Sequence, residues 1–219
     1  MDNSARRTHP RRIAGDSARR EQAVLSGFDP AAMVMTEDGP VPFEWLAVGD
    51  RLLTRDGGYQ PVIWMDRSRL TIGEMREYPE YAPVRIQRGI LDADLPLRSL
   101  YVSPQQLVHV SRDPQNMSGN GVLIAADHIC DPVDIQDHPA AEVITYVSVM
   151  LPAHHLIHVE GTWMGSLFTA DLGAELPPTC PVKNALAADS MQPVAPILSR
   201  DDARQFIALR GQTNARRHA

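Results

Sequence analysis

The chain has 219 residues, 43% of them hydrophobic and only 5% aromatic, with 18 prolines. That is apolar enough for one core, and the prolines predict many short elements in place of long helices. A formal charge of −6 gives the molecule as a whole no reason to seek nucleic acid or an anionic membrane, and no stretch approaches the ~18 apolar residues of a membrane span.

Residues 1–23 are polar and without periodicity. Arg6, Arg7, Arg11, Arg12, Arg19 and Arg20 stand there against Asp2 and Asp16. Nothing apolar follows the arginine pairs, so a secretory or twin-arginine signal lacks its hydrophobic region. The expectation is a disordered arm on a soluble, cytoplasmic protein, with export by a signal-independent route left open. A basic arm can also bind nucleic acid or a protein partner, but no aromatic interleaves these arginines to stack on bases.

From Ala31 onward the chain breaks into short β-type runs. Met33-Val34-Met35 precedes Glu37-Asp38-Gly39-Pro40. Arg51-Leu52-Leu53-Thr54 precedes Arg55-Asp56-Gly57-Gly58, and Pro61-Val62-Ile63-Trp64-Met65 follows. Asp-Gly between apolar runs signals a hairpin, because glycine accepts positive φ without a steric penalty. Val84-Arg85-Ile86 alternates as a half-buried strand should. Further runs are Leu100-Tyr101-Val102, Val108-His109-Val110, Val122-Leu123-Ile124 and Val143 to Leu151, the last apolar enough for a strand covered on both faces. Seven or more such strands with regular turns predict an all-β sandwich or barrel. Residues 24–170 form this β domain, and 171–219 form a proline- and alanine-rich extension. Within it, Ser199 can cap a helix near 200–210 that places Ala203, Phe206 and Ile207 in one stripe and closes at Gly211.

Chemistry-bearing residues are sparse. Cys130 and Cys180 are too few for a disulfide framework and read as small buried hydrophobes. His128, Cys130, His138, His154, His155 and His158 supply zinc-type ligands at a spacing that matches no paired Cys-x-x-Cys pattern, and His128 and Cys130 read as a strand end. A Cys130–His154 nucleophilic pair has no local signature. Gly57-Gly58 lacks the strand-loop-helix context of a phosphate cradle. Trp45, Trp64 and Trp163 fall on different strands and read as core or rim residues. No cofactor and no metal are expected, and the partner is unknown, another protein being one candidate.

The order of these pieces resembles the Hedgehog/intein (Hint) domain family. Gly27-Phe28-Asp29-Pro30 with Met33-Val34 is similar to the family's opening strand, which begins with cysteine and phenylalanine. Trp45 to Thr54, with Gly49-Asp50 inside it, is similar to the next segment. Val102-Ser103-Pro104-Gln105-Gln106-Leu107-Val108 resembles the Ser/Thr-Pro-x-His motif. Glu142 to Gly161, with Tyr146 and His154, resembles the last hairpin, and the helix of Arg200 to Leu209 one that trails the domain in bacterial relatives.

The resemblance implies a compact Hint-type β fold and autocatalytic cleavage of the peptide bond before the first residue. A nucleophile at that residue attacks the preceding carbonyl, the motif histidine protonates the departing nitrogen, and a nearby hydroxyl or backbone group holds the developing oxyanion. By this correspondence Gly27, Ser103, Gln106 and His154 occupy the site. Glycine has no side chain with which to attack, and an amide does not titrate near neutral pH. The resemblance thus implies a degenerate domain acting as a binding or structural module. The alternative is a live autoproteolytic domain cleaving near residues 25–27 by an N–O acyl shift at Ser26. Such a shift needs a base, and His109, three residues beyond Gln106, falls on the opposite strand face.

Overall fold

A computed structural model describes residues 26–91, 94–112, 121–130, 143–167 and 192–217, with side chains to 210. The arginine-rich arm, His138, and residues 171–191 of the proline- and alanine-rich extension, Cys180 among them, lie outside the described residues.

Twelve strands follow the expected order among these residues: β1 (Met33–Thr36), β2 (Gly39–Pro42), β3 (Arg51–Thr54), β4 (Gly58–Pro61), β5 (Trp64–Thr71), β6 (Val84–Ile86), β7 (Leu100–Val102), β8 (Leu107–Ser111), β9 (Gly121–Ala125), β10 (Val143–Met150), β11 (Leu156–Val159) and β12 (Thr162–Gly165). The fold is all-β and antiparallel. Its largest sheet runs β2-β1-β3-β11-β12-β8-β9, with β4 added to β3. Gly39 at φ +107° and Gly58 at φ +64° turn the β1–β2 and β3–β4 hairpins, as the Asp-Gly signals predicted. On β6, Val84 and Ile86 are buried while Arg85 faces out.

Two further pairs, β5–β10 and β6–β7, are joined by the opening segment of the domain. Phe28 bridges Val102 of β7 on one side and Val147 of β10 on the other. Its N–H donates to the Val147 carbonyl at 3.0 Å, and the Val147 N–H returns the bond at 2.8 Å. The segment is therefore a short central strand of its own sheet. The Phe28 ring stacks on Phe43 with centroids 4.3 Å apart, and both are buried in the main core with Val34, Leu52, Val147 and Ile157.

Three α-helices among the described residues punctuate the strands: α1 (Ile72–Glu77), α2 (Ala126–Ile129) and α3 (Arg200–Arg217). The first begins at a capping box in which Thr71 and Glu74 satisfy each other's backbone N–H. The third begins at Ser199, which exchanges hydrogen bonds with Asp202, and its Ala203 is buried in the main core with Phe206 and Ile207 packed alongside. Ahead of it, Pro196 to Leu198 pair with the free edge of β9 through Leu123.

Several expectations need correction. The run Pro61 to Met65 is divided between two strands, because the Val62 N–H turns to the Asp50 carbonyl and the Ile63 N–H to that of Met150. His128 lies in α2, with Cys130 just after it, where a strand end was expected. Trp45 sits in a 3-10 turn at 72% exposure, neither on a strand nor in the core. The last helix runs through Gly211 to Arg217, since no proline follows and good helix formers flank the glycine. No helix among the described residues is long and apolar enough to cross a membrane.

Candidate active site

The opening strand ends, toward the N-terminus, at the Ser26–Gly27 peptide bond. Gly27 and Ser103 form a reciprocal pair: the Gly27 N–H donates to Ser103 Oγ at 2.9 Å, and the Ser103 N–H donates to the Gly27 carbonyl at 2.9 Å. Ser103 is held there by the turn that ends β7. The Gln106 N–H closes this turn onto the Ser103 carbonyl, and α2 buttresses it through the bonds Ala126 N–H to Gln106 O and Asp127 N–H to Pro104 O.

On the other side of the same peptide bond stands Ser148 of β10. Its hydroxyl donates to the Ser26 carbonyl at 2.6 Å, and the residue is 1% exposed. The pairing of Val147 with Phe28 sends both neighbours of Val147, Tyr146 and Ser148, to the face that meets Gly27. A β-carbon at Gly27 would lie 3.0 Å from Tyr146 Cβ, 3.2 Å from Ser148 Oγ and 3.3 Å from the Val147 carbonyl. The glycine is seated in space that a side chain would have to share.

Gln106 is turned elsewhere. Its amide nitrogen donates to the carbonyls of Gly165 at 2.8 Å and Leu107 at 3.1 Å, while its buried Oε1 has no hydrogen-bond partner among the described residues. His154 meets the same glycine. A β-carbon on Gly165 would come within 2.9 Å of His154 Nε2, and His154 Nδ1 accepts the Val194 N–H at 3.2 Å. Two groupings result: Gly27 with Ser103, Tyr146 and Ser148, and Gln106 with His154 around Gly165. Sequence reasoning did not name Gly165, and it named all of these side chains but Ser148. Its one signal was a polar residue inside the apolar run Val143 to Leu151.

Burial governs the titratable side chains described around the site. Burial pushes the His154 imidazole down to about 4, with His155 adding to the effect. Burial, and then the Arg55 guanidinium, likewise push His109 down to about 4. His109 Nε2 takes a hydrogen bond from Arg55 Nη1 at 2.7 Å, which requires the neutral ring. Burial raises the Tyr146 phenol, whose hydroxyl donates to the Tyr81 carbonyl. Cys130 packs against the main core, and no group of three or more His, Cys, Asp or Glu among the described residues is arranged to hold a metal ion.

The sequence model described as "Hint domain" matches residues 26–171, more than half of the chain and beginning one residue before Gly27. The protein belongs to the Hint domain family. Among solved structures this Hint chain is similar to the gp41-1 intein and to a triply substituted form of it. These align at 15% and 14% identity, each over 64% of this chain and 98% of the other, with a TM-score of 0.38. Among curated protein sequences, none matches the chain.

Proposed function

We propose that this Hint domain has lost self-cleavage and serves as a folding or interaction module, a unit of residues 24–170 that keeps its own opening segment as a permanent strand. The observation that carries this reading is the seat of Gly27, where the β-carbon of an attacking residue would press on Tyr146 and Ser148. Proton chemistry agrees. The amide of Gln106 donates to two backbone carbonyls and cannot deliver a proton to a leaving nitrogen. An acyl shift at Ser26 would need a base to ionise its hydroxyl, and His109 is bonded to Arg55 with its basicity lowered to about 4.

The mass of the purified chain tests this directly. The expected result is an intact chain after days at neutral pH, unchanged by added thiol or hydroxylamine. A fragment beginning at Ser26 or Gly27 and growing with time would overturn the reading. A second arm restores the missing groups. Gly27→Cys combined with Gln106→His should produce slow N-terminal cleavage once Tyr146 and Ser148 yield by a few tenths of an ångström to the new β-carbon, since it restores both the nucleophile and the proton donor. A well-folded double variant that stays intact would show that more than these two groups has been lost.

A further inference from the structure

The Ser26–Gly27 amide is held by side-chain hydroxyls at both ends. Ser103 takes its N–H and Ser148 grips its carbonyl oxygen. The carbonyl contact is short for a hydroxyl-to-oxygen bond and lies in a buried site, where such a bond is electrostatically stronger than in water. The backbone around it is committed. The Gly27 carbonyl takes the Ser103 N–H, and the Phe28 carbonyl takes the Val147 N–H.

We infer that Ser148 is an oxyanion donor retained in a site that has lost its nucleophile, so that the hydroxyl aimed at the Ser26 carbonyl would stabilise the charge formed there if attack were restored. This rests on the reading of the site as degenerate. With cysteine at position 27, the thiolate adds to the Ser26 carbonyl carbon and a C–S bond forms. The carbonyl π pair moves to oxygen, directly under the Ser148 hydroxyl. Collapse returns that pair to the carbonyl and breaks the bond from carbon to the residue 27 nitrogen. The nitrogen takes one proton, supplied by a protonated imidazole at position 106 turned from the place Gln106 holds at Gly165 toward residue 27, and leaves as an amine beside a thioester. Ser148 ends the cycle unchanged. Donors aimed where the charge appears are worth far more to the transition state than to the resting amide.

Two measurements on the full chain test the assignment. In the unaltered protein carrying a 13C label at the Ser26 carbonyl, the amide I band should lie at the low frequency of a strongly bonded carbonyl. Ser148→Ala should raise it, Ser148→Thr should restore it, and Ser103→Ala should leave it in place. An unmoved band in folded Ser148→Ala removes the contact and the inference with it. In the Gly27→Cys, Gln106→His chain, adding Ser148→Ala should slow cleavage on the order of 10²–10³-fold. Equal rates with and without the hydroxyl would overturn the role of Ser148 while leaving the degenerate-site reading intact. If that folded chain never cleaves, the site has lost more than these two groups and the oxyanion role of Ser148 falls, while the carbonyl band still decides whether Ser148 holds the oxygen.

Discussion

Glycines in this molecule are set by space as much as by backbone angle. At Gly27, a β-carbon at 3.0 Å from Tyr146 Cβ is tighter than ordinary van der Waals contact, and Tyr146 must give by a few tenths of an ångström to admit it. Gly27→Ala should therefore fold with a loss of about 1–3 kcal/mol, the usual range for overpacking, read from urea midpoints at constant m. Gly121 is less forgiving. Its β-carbon would overlap the His109 ring and approach the Val110 carbonyl to 2.7 Å, and the backbone atom cannot step aside. Gly121→Ala should cost clearly more than Gly27→Ala in the same assay; an equal or smaller loss would contradict the packing described. Gly27, Ser103 and Gln106 could be picked out in the sequence because each falls inside a recognisable motif. Ser148 could not, since a single serine in a strand carries no spacing signal until its register against Phe28 is known.

The end of the chain behaves as a clasp. Residues 192–210 lie beyond the matched span of 26–171, yet they complete the Hint fold on two sides. Pro196 to Leu198 cover the open edge of β9, which protects an otherwise unpaired strand, and Ala203 fills a place in the main core. Arg200 pairs with Asp127 of α2, and Arg112 stands over the Phe206 ring. Ser199→Ala removes the hydroxyl that accepts the Asp202 N–H, so it should cost ~1 kcal/mol. Ala203→Leu, forced into a filled site, should cost about 1–3 kcal/mol and speed hydrogen exchange at Leu123 and Leu198. A variant that loses no stability would mean that the helix does not dock. The stripe of Ala203, Phe206 and Ile207 made this helix legible in advance. Its docking partner was not, because the helix packs against α2 and the loop after β6, distant segments that only the fold brings together, with the Leu91 carbonyl accepting from Arg210. α1 was missed although its capping box, Thr71 to Glu74, is readable in the sequence.

Over the whole molecule, the buried histidines make stability depend on acid. His109 and His154 hold their protons less tightly in the folded chain, at about 4, than in the unfolded chain, near 6.5. His155 and His158 are shifted in the same direction, each mainly by burial. As pH falls through 6.5, the unfolded state takes up protons that the folded state refuses, so folding weakens steadily toward pH 4. Above pH 7 these groups have no further effect. The two most buried rings together should lower stability on the order of a few kcal/mol between pH 7 and pH 4.5. Urea midpoints across that range should fall, and His154→Asn should flatten the fall. A profile level from pH 7 to 4.5 would show that these rings are not buried in the neutral form.

What the sequence by itself determined is local: the alternation that makes strands, the Asp-Gly turns, and the absence of both a thiol at position 27 and an imidazole at position 106. Such facts need no third dimension, because a side chain's chemistry belongs to its own residue. Only the tertiary structure decided which groups meet the Ser26–Gly27 amide. Its two hydroxyl partners lie 76 and 122 residues away along the chain, and a hydrogen bond acts over about 3 Å with no trace in the intervening residues. Sheet register brings them together, and register is set by the packing of the whole β fold.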